Sequence, residues 1–179
     1  MNVQRSEALE VVVSPFQATQ SWDDAVRATL PTLARWESET ASRCVVVQNR
    51  LDRFGGVLAD VSRSRSVMTP RSKSARSRGP VLAYVPTDHA LLLAQRIAVH
   101  GLAVVGLNDD WVTGWARAVG ATNLATGARY AAYSEEQQKE LDRVSWYGNN
   151  GWPPRDSFVR GPVGHALRDL LDSGLTIGD

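Results

Sequence analysis

The sequence predicts a single-domain α/β fold: three layers, with a mostly parallel central sheet flanked by helices. Two observations carry that expectation. Continuous apolar runs at 44–47, 81–85 and 102–107 have the composition of strands covered on both faces. Amphipathic helical stretches alternate with them, which is the pattern of parallel strands joined by crossovers. The size fits as well. At 179 residues, 43% hydrophobic and 22% charged, the chain can bury about 70% of the surface its unfolded form exposes. No internal repeat or Pro/Gly linker divides it, so one domain over 1–179 is expected.

The elements follow in order. Residues 9–13 form a β-branched run that Pro15 should end, which suggests a first or edge strand. Ser21 can cap a helix that starts at Trp22, with Asp23 and Asp24 in its first turn against the helix dipole. Val26, Leu30 and Leu33 continue its apolar spacing to Trp36, and Pro31 should kink this helix or begin a second one. Cys44 is the only cysteine and opens the first buried strand, so core packing is its expected role.

Leu51, Phe54, Val57, Leu58 and Val61 keep helical periodicity, but Gly55 and Gly56 inside that helix would cost it roughly 2 kcal/mol. A Gly-Gly hairpin turn competes with the helix, and the sequence leaves both open. Pro80 precedes the strand at 81–85. Thr87 or Asp88 can cap the next helix, through Leu93 and Ile97 to His100, with Gly101 at its C′ position. The strand at 102–107 completes a β-α-β unit whose two strands should be parallel and joined by a right-handed crossover. Asn108, Asp109 and Asp110 precede a helix with Val112, Trp115, Ala116 and Val119 on one face, closed by Gly120. Ser134 and Gln137 form a capping box for a polar helix to Arg143. Pro162 occupies the first helical position ahead of Val163, Ala166, Leu167, Leu170 and Leu171.

Several function classes are excluded or disfavoured. No stretch approaches the roughly 18 apolar residues of a membrane span, and no apolar core follows the N-terminus, so a cytoplasmic protein without a membrane partner is expected. Walker A, G-x-G-x-x-G, G-x-S-x-G, H-E-x-x-H and paired C-x-x-C motifs are all absent. Any cofactor is left open: the strand-end acids could hold Mg²⁺, while His100 and His165 are too scattered to suggest a ligand set.

Three regions hold chemistry. In parallel sheets ligands bind beyond the carboxyl ends of the strands. Those ends carry Gln48 and Asn49, then Thr87, Asp88 and His89, then Asn108, Asp109 and Asp110. Asp88, Asp109 and Asp110 are candidate catalytic carboxylates and His89 a candidate base, although the same residues serve as helix caps. Gly55-Gly56 would let a backbone approach a phosphate.

The second region is an acid-free interval between Asp60 and Asp88, read as a flexible loop at about 62–79. It holds Arg63, Arg65, Arg71, Lys73, Arg76 and Arg78 among six serines. Guanidinium and ammonium groups in such a segment neutralise phosphates with salt-dependent affinity. The third is the turn around Asn-Asn-Gly, where Trp146, Tyr147, Asn149, Asn150, Trp152 and Arg155 offer aromatic faces and amides for stacking on a base or sugar, or for anchoring a protein. Core packing is the competing role of those aromatics.

The β-α-β stretch at 81–107 resembles, generically, the modules of nucleotide-handling α/β proteins, including the second lobe of helicases. The likeness covers a small part of the chain and brings no catalytic motif, so no residue role is carried over. The leading expectation is a binding or accessory protein for a phosphate-bearing partner, with nucleic acid as the model case, acting through the Arg/Ser interval. The alternatives are a small-molecule enzyme using the strand-end carboxylates and a protein-interaction module using exposed tryptophans.

Overall fold

In the computed structural model, five parallel ladders build one six-stranded sheet. The structure describes residues 9–17, 19–50, 55–72, 77–107, 110–148, 165 and 167–172. Two compact units divide the chain, Met1–Tyr130 and Ala131–Asp179, and the sheet belongs to the first. Its elements are β1 (Glu10–Phe16), α1 (Trp22–Thr40), β2 (Val45–Val47), α2 (Gly56–Arg63), β3 (Ser66–Met68), β4 (Val81–Tyr84), α3 (Asp88–Ile97), β5 (Gly101–Leu107), α4 (Asp110–Ala118) and β6 (Thr122–Asn123). The strand order is β3-β2-β4-β5-β1-β6.

Strict alternation along the buried strands creates two cores. Val11, Val13, Val47, Val81 and Val104 face α3 and α4 on one side. Val12, Val46, Leu82, Ala103 and Val105 face α1 and α2 on the other. Connections that run toward β3 use the α1/α2 face and those that run toward β6 use the α3/α4 face, so every helical crossover has the same hand, as the chirality of βαβ units requires. The chain therefore parts to opposite faces after two neighbouring pairs of strands, β2/β4 and β1/β5. Such switch points open crevices at the carboxyl edge.

Several expectations change. The first strand is interior, flanked by β5 and β6, and Pro15 lies within it instead of ending it. Leu124 N–H donates to Val13 O, so Pro15, of the same parity, turns its missing donor toward β6. That ladder has ended by then, which is where a sheet tolerates proline. Helix α1 runs unbroken through Pro31, with Ser21 and Asp24 forming a capping box.

Gly55 is the N-cap of α2 and Gly56 its first residue, at φ +64°, so the glycine pair starts a helix and makes no hairpin. The carboxylate of Asp23 accepts from Val57 N–H at 3.1 Å and fills the space a Cβ on Gly56 would need. A side chain of the protein itself thus stands at the place the glycine pair was read as offering to a phosphate.

Gly101 is the first residue of β5 and not a helix cap. The indole of Trp36 packs against it so closely that any Cβ would collide with the ring. Gly120 does close α4 as expected: at φ +64° it donates to Arg117 O while Ala121 donates to Ala116 O, the paired bonds of a Schellman motif.

Regular structure also enters the Arg/Ser interval. Ser62 and Arg63 finish α2, and residues 66–68 form the edge strand β3 against β2. Thr69 and Ser72 then bond to one another in a tight turn. Backbone pairing with Val45–Val47 overrides the polar composition that suggested a loop.

In the second unit, α5 (Glu135–Gly148) carries the expected capping box, Ser134 N–H to Gln137 Oε1 and Gln137 N–H to Ser134 Oγ, each 3.1 Å. This helix extends past Arg143 and takes in Trp146 and Tyr147, which were read as part of a turn. Residues 149–155, with Asn149, Asn150, Trp152 and Arg155, lie outside the described residues, as does Pro162. Residues 167–172 are helical and Leu170 is buried.

Candidate functional site

At the β2/β4 switch point the two outgoing segments are tied together by one side chain. Asn49 Nδ2 donates to Val85 O at 2.8 Å, and Asn49 Oδ1 accepts from Thr87 N–H at 2.7 Å and from Thr87 Oγ1 at 2.9 Å. Val85, directly after β4, holds φ +40°, a conformation that a β-branched residue adopts only under strain, of order 1–3 kcal/mol. Its own N–H still donates to Val105 O. The side chain of Gln48 is 4% exposed, and its Oε1 meets no hydrogen-bond partner among the described residues. A buried acceptor left alone costs about 1–3 kcal/mol. Strain and an unmet acceptor therefore sit at the ends of two adjacent strands, at the kind of switch point where parallel sheets bind ligands.

The candidate catalytic residues there are placed as follows. Asp88 Oδ1 accepts from both the N–H and the Nδ1 of His89, each at 2.8 Å, and these bonds hold the Asp88 carboxyl below its ordinary pKa. Both side chains are exposed, and Asp88 serves the first turn of α3. Asp109 and the side chain of Asp110 lie outside the described residues. Among those described, no three His, Cys, Asp or Glu side chains cluster as metal ligands would. Cys44 is buried, with its thiol pushed up to about 12 by burial, so it packs as the composition indicated.

The basic interval separates into committed and uncommitted cations. Arg65 was grouped with the phosphate contacts, but it forms a forked ion pair with Glu37, two bonds of 2.9 Å between side chains only 14% and 13% exposed. It also donates to Val61 O. These bonds lash α2 to α1 and leave the guanidinium no free edge. Arg63 pairs on the surface with Asp60 at 3.1 Å. Arg71 and Arg78 are exposed and have no ion pair among the described residues. Lys73 and Arg76 lie outside those residues.

Arg71 follows Pro70, which forms one wall of an open groove of about 580 Å³. The other wall is α3, through His89, Leu92, Leu93, Gln95 and Arg96. Arg96 is likewise exposed and without an ion pair among the described residues, and Leu92 is 65% exposed. The groove exists because α3 lies over β4 and β2 while the Thr69–Ser72 turn rises beside it from edge strand β3. Of the α3 half the sequence signalled only His89, since Gln95 and Arg96 have the composition of an ordinary solvated helix face.

The fold and this surface define an α/β protein with a basic, partly apolar groove on one edge of its sheet. Comparison with protein-family models, curated proteins and solved structures gives no match. Among the described residues no helix is long and apolar enough to cross a membrane.

Proposed function

We propose that this chain is a binding protein for a phosphate-bearing polymer, nucleic acid being the class that fits, seated on the groove between the Thr69–Ser72 turn and α3. The carrying observation is a pair of uncommitted guanidinium groups beside that groove: Arg71, in a stretch of chain that has no acid from residue 61 to 87, and Arg96, on α3 across from it. Arginine forks match phosphate oxygens in pairs. The exposed Leu92 side chain offers an apolar surface to a base or ribose, and Gln95 an amide. The single buried thiol suits a reducing, cytoplasmic setting.

Fluorescence anisotropy with a labelled single-stranded oligonucleotide tests this reading. Affinity should fall as salt rises, with a log–log slope of about −0.7 per neutralised phosphate. Replacing Arg71, Lys73, Arg76 and Arg78 together by alanine should flatten that slope and weaken binding across sequences. No affinity at low salt, or affinity unchanged in the fourfold variant, would sink the proposal.

A further inference from the structure

On the opposite face of the sheet, at the same carboxyl edge, four elements bring polar groups together with aromatic rings that cap the α1/α2 core. Phe16 ends β1, and its ring stacks on Trp22 with centroids 4.1 Å apart. Trp22 opens α1 and meets Tyr84, at the end of β4, edge to face at 5.9 Å and 67°. The register Val47↔Ala83, carried one residue further, sets Gln48 beside Tyr84, and alternation puts both on the face of Val46 and Leu82. Asp23 stands next to Trp22. Its carboxylate is near enough to Tyr84 to help burial raise that phenol's pKa, and Oδ1 receives Val57 N–H while Oδ2 has no partner among the described residues.

The arrangement has a half-buried rim and a buried floor. Phe16, Trp22, Asp23 and Tyr84 are each partly exposed, and Gln48 lies beneath at 4% exposure with Oε1 unmet. Beside the donors of the Gln48 amide and the Tyr84 hydroxyl, it offers unmet acceptors among the described residues. Gln48 Oε1 and Asp23 Oδ2 accept hydrogen bonds, and aromatic ring faces are electron-rich. The one backbone donor in the group, Val57 N–H, is already taken by Asp23. An anion finds a carboxylate in its way, and an apolar ligand leaves Gln48 Oε1 unsatisfied. A cation with N–H donors answers all of these groups at once: a charge for Asp23, a donor for Gln48 and a positive centre for the Trp22–Tyr84 corner.

From this juxtaposition we infer a binding site for an organic ammonium group, formed by Trp22, Tyr84, Asp23 and Gln48 at the β2/β4 switch point. It stands apart from the basic groove and does not depend on it.

The probe is n-butylammonium, with n-butanol as its neutral counterpart, followed through the indole N–H signal of Trp22 in a 1H–15N spectrum and assigned with Trp22→Phe. The ammonium should shift that signal saturably and raise Tm, as binding to the native state must, while butanol does neither. Gln48→Leu removes the unmet acceptor, so it should raise Tm in the absence of the probe and weaken ammonium binding at least tenfold. Asp23→Asn keeps an oxygen for Val57 N–H, preserving the fold, and should weaken binding similarly. An equal response to butanol, the absence of any saturable shift, or undiminished ammonium binding by both variants would overturn the inference.

Discussion

The two edges of the sheet are built on opposite terms. At the amino edge three carboxylates have cationic counterparts. Glu10 accepts a fork from Arg35 at 2.7 and 2.8 Å and the Trp36 indole N–H at 2.9 Å. His100 meets Glu39 at 2.9 Å, and Glu37 takes Arg65 together with the backbone N–H of Cys44. At the carboxyl edge a valine holds φ +40°, and among the described residues a glutamine oxygen goes unmet and the exposed Arg71 has no ion pair. The difference teaches a division of labour. One edge ties its carboxylates to α1, α2 and the strands, while the other keeps an unmet acceptor and an unpaired Arg71 that a ligand would meet. Strain and unmet polarity persist in folded proteins where the surrounding structure can bear them, and they concentrate at working sites.

Substitutions should separate the edges by size and by sign. The largest effect is expected at Trp36, which fills the space beneath Gly101: Trp36→Ala should lose about 3–5 kcal/mol in chemical denaturation. Next is Arg65→Ala, which strands the Glu37 carboxylate in a nearly closed setting and should lose roughly 2–3 kcal/mol. A loss there near zero would place Arg65 among the surface cations and blur the contrast.

The same pair sets a pH dependence. Burial pushes the Glu37 carboxyl up, but bonds from Arg65 and from Cys44 N–H overcome that and leave it below its ordinary value of 4.5. Glu10 behaves likewise: burial raises it, and the Arg35 and Trp36 bonds lower it further. A carboxyl depressed in the folded state binds its proton more readily when unfolded, so its contribution is present above about pH 4.5 and disappears as pH falls through the folded value. Thermal midpoints should therefore drop on acidification below that point. Glu37→Gln should make the drop shallower.

The smallest effect has the opposite sign. Val85→Gly relieves the positive φ and should leave stability unchanged or raise it by about 1 kcal/mol. A substantial loss would show that the carboxyl edge is as tightly determined as the amino edge.

What the sequence disclosed and what it hid follow the same physics. Strands β2, β4 and β5 are legible because burial on both faces makes them unbroken apolar runs. Helices α4 and α5 announce themselves through Gly120 and through Ser134 with Gln137, since caps are local chemistry. Strand β3 is hidden: Ser66–Met68 at an edge depends on ladder bonds to β2 and not on burial.

Position-specific roles are hidden where the partner is distant in sequence. Arg65 resembles Arg71 along the chain, yet Glu37 claims one and leaves the other free. Gly101 reads as a helix cap because its real neighbour, Trp36, is remote. The candidate strand-end residues were half legible: Gln48, Asp88 and His89 do reach the carboxyl edge. The groove wall supplied by Arg96 and the acceptor pair of Asp23 and Gln48 required the register to be seen.

The most direct test of the contrast is a 1H–15N chemical-shift map of the protein on addition of a short single-stranded oligonucleotide at low salt. The predicted shifts cluster at Arg71, His89, Leu92, Gln95 and Arg96 and fade as salt is raised. Shifts centred on Glu10, Arg35 and His100, or no shifts at any salt, would contradict the assignment of binding to the groove beside α3.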